Sequence, residues 1–316
     1  MADTRAPAGD RVLEVAPTRL NPTDATLWDI ERNPELRTTI VAALLLDRPV
    51  KRKRLLNVLE AASRRIPRLR ERVVAGPAGI GAPHWEIDRL FNLDDHVSFV
   101  KSRGLVDQAV IAAVAEPMAS TPLDRERPLW ECTYVGDSEG PAALILKVHH
   151  SLTDGVGGMG LLDVMLDRRG DAEQRDLSTI PIPVQGERPP DPDRGADAAV
   201  RRAVGTPFEI ASRAATTAFH PVKSWTSAVE GARSAARLLA PSSDPLSPLL
   251  TGRGVDRRAS MAELELERLH HAAAKHGCTI NQAFFAGAIG GIAAYHRELG
   301  SPTQRLRVSM PISTRR

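Results

Sequence analysis

Cysteine is nearly missing from this chain, with two residues, Cys132 and Cys278, in 316. They lie far apart and show no metal-ligand spacing. A disulfide framework and a thiolate metal centre both drop out, and a reducing compartment is expected. Aromatic residues make up only 4%. A nucleic-acid surface needs basic residues interleaved with stacking aromatics, and a net charge of +3 spread over 26% charged residues does not supply one. No run approaches the ~18 consecutive apolar residues of a membrane span. The polar opening MADTRAPAGDR lacks the apolar stretch of a secretion signal. These absences lead to the expectation of a soluble cytoplasmic protein with no nucleic-acid partner.

Hydrophobic residues are plentiful, at 42%, enough for a sizeable core in one large or two medium domains of about 100–200 residues each. Residues 38–46 (TTIVAALLL) are β-branched at the start and continuously apolar, which predicts a buried strand. Residues 50–66 set Leu55, Leu56, Val58, Leu59 and Ala62 at helical spacing among basic side chains, and Pro67 closes that helix. Residues 68–74 predict a short strand, and 107–116 a small helix stopped by Pro117. Residues 129–135 and 142–148 predict a hairpin around Gly136-Asp-Ser-Glu-Gly140. A further helix is expected over 161–166.

Beyond that point the character changes. Pro181, Pro183, Pro189, Pro190 and Pro192 fall among charged residues and predict a linker. Residues 198–239 predict amphipathic helices broken at Pro221. Their basic residues Arg201, Arg202, Arg213, Lys223, Arg233 and Arg237 form either a contact with an anionic membrane or lipid-droplet surface or a solvated face between lobes. Helices over 261–276 and 279–299 follow, the second with Gly287, Gly290 and Gly291 on a helix contact face, and then a strand over 306–312. The fold class is α/β, an α+β two-layer sandwich. Its expected organisation is a first lobe over 1–167, a Pro-rich linker over 168–197, a helical connector over 198–250 and the beginning of a second lobe over 251–316. One helix pair and one strand make a poor independent core.

The densest chemistry lies in Lys147-Val-His-His-Ser-Leu-Thr-Asp-Gly-Val-Gly-Gly158, where an apolar strand delivers two imidazoles and then turns on Asp-Gly. Three readings are open for His149 and His150. They are a structural pair at a strand end, a metal site, or a catalytic base. Neighbours on a strand point to opposite faces, so the two do not readily share an ion, and no Cys or Glu stands at a usual ligand spacing. Neutral imidazole can take a proton from a hydroxyl near physiological pH. The glycines that follow let a ligand or another lobe approach the backbone closely.

His149-His150-Ser-Leu-Thr-Asp154-Gly155 matches the HHxxxDG motif of the acyltransferase superfamily that includes chloramphenicol acetyltransferase and peptide-synthetase condensation domains. The flanks resemble one branch, the bacterial wax ester synthase/diacylglycerol acyltransferase family. The matching blocks are Asn21-Pro-Thr-Asp-Ala25 with Leu27-Trp28, Trp85 and Asp88 with Phe91 to Val97, Pro122 to Glu131 around Pro128-Leu129-Trp130, and Pro311-Ile-Ser-Thr-Arg315. The resemblance implies a chloramphenicol acetyltransferase-like lobe plus an incomplete second lobe. It also implies an acyl-CoA-dependent O-acyltransferase that esterifies diacylglycerol or a long-chain alcohol, with acyl-CoA as substrate rather than cofactor.

By motif position His150 is the general base on the acceptor hydroxyl and His149 stays structural. Asp154 pairs with an arginine, for which Arg70 is the candidate, the alternative being a solvated strand arginine. Gly155 and Gly158 keep a substrate tunnel open near His150. Trp130, Asn281 and Ser313 are further tunnel candidates, Trp130 with plain core as its alternative. Where the resembled family has Asn-Asp, this chain has Asn281-Gln282. Family members also continue past the Pro311 strand, so the expectation is a shortened member or a split one whose missing half is a separate chain. Two other functions stay open. One is condensation on carrier-protein thioesters, and the other is a non-catalytic lipid-binding or partner subunit.

Overall fold

The apolar run 142–148 becomes a buried inner strand. The run expected to be buried over 38–46 instead forms an edge strand (Ile40–Leu46) with none of its residues fully buried and Leu45 68% exposed, because it pairs on one side only. The computed structural model describes residues 11–37, 39–75, 83–102, 104–152, 164, 175–187, 247–252 and 254–302. These fall into two compact units, one of residues 1–189 with 254–262 and one of 190–253 with 263–316. In chain order the first unit begins with β1 (Val12–Val15), β2 (Thr18–Arg19), α1 (Pro22–Ile30), β3 (Ile40–Leu46), α2 (Arg52–Arg65), β4 (Glu71–Val74) and β5 (His84–Ile87). It continues through β6 (Val97–Lys101), α3 (Gln108–Ser120), β7 (Trp130–Gly136), β8 (Ala142–Val148) and β9 (Ile182–Gln185).

The main sheet has the order β3-β8-β7-β6. Its β3–β8 and β8–β7 pairs are antiparallel, with Ile40 opposite Val148 and Trp130 opposite Val148, while β7 and β6 run parallel. Strand β8 is buried along its whole length, which is why its sequence shows no polar alternation. Side chains still alternate by face. Even-numbered residues such as Cys132, Tyr134, Leu144 and Leu146 pack under Leu55, Leu59 and Ala62 of α2. Odd-numbered Val135, Ala143 and Ile145 pack under Ile111 and Ala115 of α3. Burial on the α2 side pushes the Cys132 thiol up to about 12. The hairpin turn places Gly140 at φ 80°, a backbone geometry that a residue with Cβ rarely adopts.

A smaller antiparallel sheet, β2-β5-β4, packs Trp85 and Val73 with Leu20, Trp28, Leu123 and Leu129. β1 and β9 form a parallel pair. Strand β9 lies inside the Pro-rich stretch and corrects the expectation of linker throughout. The amides of Ile182 and Gly186 face β1, donating to Arg11 and Val15. The nitrogen of Pro183 therefore points away from the ladder, where a missing N–H costs nothing.

Three predicted boundaries move. Residues Pro67–Arg70 form a 3₁₀ turn and the strand starts only at Glu71, because proline at the first position favours a tight helical turn over an extended entry. Helix α3 runs through Pro117 to Ser120. Near a C-terminus proline removes one amide, and the carbonyl of Pro117 still accepts from the Thr121 amide and hydroxyl. The helix predicted from residue 261 begins at Leu266 instead. Met261 packs on the α3-side core, next to Arg257 and Ala259, whose amides donate to Ser120 and Glu116.

In the second unit the described helices are α4 (Leu266–Lys275) and α5 (Ile280–Glu298). The buried His296 on α5 donates from Nδ1 to the Ile292 carbonyl at 2.8 Å, and its Nε2 lies 2.7 Å from Ser247 Oγ. A Cβ at Gly287, Gly290 or Gly291 would meet nothing within 4 Å among the described residues. The predicted close helix contact at these glycines is therefore not present there. Of residues 161–166 only Val164 is described, and it is helical. The predicted helices over 198–239 and the strand over 306–312 lie outside the described residues. No described helix is long and apolar enough to cross a membrane.

Candidate active site

Strand β8 stops at Val148, and the His149 amide makes one more bond, to the Leu129 carbonyl at 3.0 Å. The chain then folds into a 3₁₀ turn over His150–Leu152, closed by the Leu152 amide on the His149 carbonyl. This break in the ladder separates the two imidazoles. His149 is 1% exposed, while His150 is exposed and makes no ring hydrogen bond among the described residues.

The His149 ring is held on all sides. Its Nδ1 accepts the Ser151 amide at 3.0 Å and lies 2.6 Å from Ser151 Oγ. An amide can only donate, so Nδ1 is bare and the ring proton sits on Nε2. Glu31 Oε2 lies 2.9 Å from Nε2, yet Nε2 completes no aligned hydrogen bond. The contact is thus a close charge–dipole approach, off the N–H direction. Trp28 meets the ring in a T-shaped arrangement at 5.7 Å between centroids. The Arg125 guanidinium lies over the Trp28 ring, 3.3 Å from its centroid, and Arg125 Nη1 donates to the Trp28 carbonyl at 3.0 Å.

These contacts come from one face of α1. Asn21 caps the helix, accepting the Asp24 amide at 2.8 Å, and Pro22 follows at the first position. From that start Asp24 and Trp28, four apart, share a face with Glu31, three further on. Asp24 sits one turn before Trp28. Burial raises its carboxyl above the ordinary 3.8, against the Asn21 hydrogen bond and the charges of His150, Arg68 and His149. Beneath the turn, Lys147 is completely buried with Glu131 Oε2 3.2 Å from its Nζ. Burial lowers its ammonium below the usual lysine range, while Glu131 and, more weakly, Glu31 oppose that shift.

Arg70 is on the 3₁₀ turn rather than a strand. Its Nη2 donates to Glu60 at 2.5 Å and its Nε to Ser63 at 3.1 Å, with the guanidinium 4.5 Å over Phe91. The buried, ion-paired setting replaces the solvated strand position. The proposed partner Asp154 lies outside the described residues, as do Gly155, Gly158 and Ser313. Trp130 is placed in the packed core, its Nε1 donating to the Leu69 carbonyl at 2.8 Å. Asn281 is exposed in the first turn of α5. Gln282 completes a capping box with Thr279 there, accepting the Thr279 amide at 2.8 Å. Among the described residues no group of three or more His, Cys, Asp or Glu side chains could hold a metal ion.

Glu31 and Lys147 gain roles that motif reading does not assign. So do Asp24, Trp28 and Arg125, which appear only as members of matching blocks. The signal for the α1 group was its cap, Asn21-Pro22, followed by residues at helical spacing. The arrangement offers one imidazole tied into internal bonds and a neighbour that is exposed and makes no ring hydrogen bond among the described residues.

A family model described as the wax ester synthase/diacylglycerol acyltransferase catalytic domain matches residues 20–284. A protein of Mycobacterium tuberculosis strain H37Rv that bears the name of a diacylglycerol O-acyltransferase is 36% identical over 303 residues, 94% of this chain and 61% of the relative. A Mycobacterium bovis protein of the same name is 31% identical over 219 residues, 65% of this chain and 44% of the relative. The chain thus spans about three-fifths of the length of the first of these. In fold it is similar to the wax ester synthase/diacylglycerol acyltransferase of Marinobacter aquaeolei VT8. The TM-score is 0.56 at 21% identity, covering 91% of this chain and 63% of that one.

Proposed function

The chain belongs to the wax ester synthase/diacylglycerol acyltransferase family, and on that basis we propose that it transfers an acyl group from acyl-CoA to the hydroxyl of diacylglycerol or a long-chain alcohol. His150 is the general base. It takes the hydroxyl proton as the oxygen adds to the thioester carbonyl. When the tetrahedral adduct collapses, the C–S bond breaks and the imidazolium returns the proton to the departing CoA sulfur. The products are the ester and free CoA. A positioned base contributes roughly a hundred- to ten-thousand-fold, and holding donor and acceptor together supplies much of the rest.

The observation that carries this reading is the contrast between the two motif histidines. His149 spends its accepting nitrogen on the Ser151 amide, so it has no lone pair to offer a substrate. His150 is exposed and makes no ring hydrogen bond among the described residues. Contact of the basic residues in 198–239 with a membrane or lipid-droplet surface belongs to the same proposal, as the setting in which a lipid acceptor is met.

The test uses the purified chain with labelled palmitoyl-CoA and a panel of acceptors. His150→Ala is expected to lower ester formation by about 100- to 10,000-fold with an unchanged circular dichroism spectrum. Turnover equal to the wild type would refute the role. Saturable lipid binding with no turnover by the unaltered chain would assign it to binding instead of transfer.

A further inference from the structure

The exposed imidazole of His150 has no hydrogen bond among the described residues to aim it, so its direction comes from the backbone of its own turn. That turn is closed on His149, whose carbonyl accepts the Leu152 amide. The buried ring of His149 is therefore the anchor of the segment. Ser151 grips one side from within the turn. On the other side stand Trp28 and Glu31, both from α1.

Glu31 is a locally unfavourable choice. It is the C-cap of α1, with no basic residue in the last turn. A carboxylate at that end faces the negative pole of the helix dipole. Its side chain is also only 9% exposed, and the charges of Arg125 and Lys147 act on it there. Its carboxylate lies 2.9 Å from Nε2 of His149, an atom with no solvent exposure. Removing the carboxylate would take away the negative charge 2.9 Å from that buried N–H.

We propose that Glu31 is a positioning residue for the base, acting through His149. Trp28, in T-shaped contact with the imidazole and itself covered by Arg125, keeps that ring from tilting while the Glu31 carboxylate keeps Nε2–H turned toward α1. The proposal rests on the reading of His150 as base, but its test separates the two. In the full 316-residue chain, Glu31→Ala is expected to lower kcat about 10- to 100-fold, the scale of a small misplacement of a reacting group. The KM for palmitoyl-CoA and for the acceptor should stay within about twofold, because no substrate contact is removed. Glu31→Gln keeps an accepting oxygen and should restore most of the rate. The double variant Glu31→Ala/His149→Ala should be no worse than His149→Ala alone, since both act through one ring.

Ring ¹⁵N NMR provides a readout that needs no turnover. The wild type should show His149 as the Nε2–H tautomer and one set of His150 ring signals, and Glu31→Ala should shift both. A Glu31→Ala kcat equal to the wild type, additive losses in the double variant, or unmoved His150 signals would each overturn the proposal. Failure of the base reading shows separately, as wild-type turnover in His150→Ala, and leaves the NMR comparison to decide on Glu31.

Discussion

Between Phe91 and Trp130 the imidazole of His96 lies stacked on both rings, at 5.3 Å and 4.7 Å between centroids. Its Nδ1 is 2.8 Å from the Trp130 carbonyl, so that nitrogen carries the proton, and Nε2 is buried with no hydrogen-bond partner among the described residues. Charging the ring would place a second N–H where none of those residues accepts it. Burial accordingly holds the ring below the ordinary 6.5, against the Trp130 bond and the charges of Asp95 and Asp88. The unfolded chain then binds this proton more readily than the native one. Stability is full above pH 6.5 and falls as pH drops from there toward the depressed native value, by up to about 1.4 kcal/mol per pH unit for one proton. Thermal melts between pH 7 and pH 5 should show this slope, and His96→Phe should flatten it. An unchanged slope would place the acid sensitivity on another group. At this scale the sequence is informative where chemistry is dense, as at His149 and His150. It is silent on His96 and Glu31, because neither belongs to a motif and each acquires its role only from what folding packs against it.

Helix α5 begins with a closed pair of bonds. Gln282 donates its amide to Thr279 Oγ1 at 3.2 Å and accepts the Thr279 amide at 2.8 Å. Two of the free amides at the helix start are thereby satisfied. The glutamine that stands where the resembled family has aspartate therefore has a local structural task. Thr279→Ala should cost about 1 kcal/mol, read as a lower midpoint in denaturant with the slope unchanged. No loss would mean that the cap is not closed in solution. Elements of this kind are legible to differing degrees. The strand 142–148 and the helix 52–65 are visible as an uninterrupted apolar run and as helical spacing, because burial sets their pattern. The run 40–46 is recognisable as a strand but misleads about burial, since it lies at the sheet edge. Pro117 misleads, since a proline near a C-terminus removes a single amide and leaves its own carbonyl free to cap. Strand β9 is hidden by its prolines, and only the register against β1 shows that Pro183 faces outward.

For the whole molecule, the family and the α/β class follow from blocks spread between Asn21 and Glu131 and from the HHxxxDG segment, and the match over residues 20–284 bears this out. The partition into units is less legible. Residues 254–262 belong to the first unit through contacts with Glu116 and Ser120 that no local pattern announces. The first unit also encloses Cys132, while Cys278 in the second is half-buried, its Sγ 3.5 Å from the Ala273 carbonyl. A thiol held near 12 is almost never a thiolate at neutral pH, and only the thiolate reacts with an alkylating agent. The native chain should therefore consume one equivalent of iodoacetamide promptly and a second only as the unit around the sheet opens. Two prompt equivalents would mean that this sheet does not stay shut. The scarcity of cysteine thus gives the protein a built-in clock for its own breathing, one that runs without any engineered label.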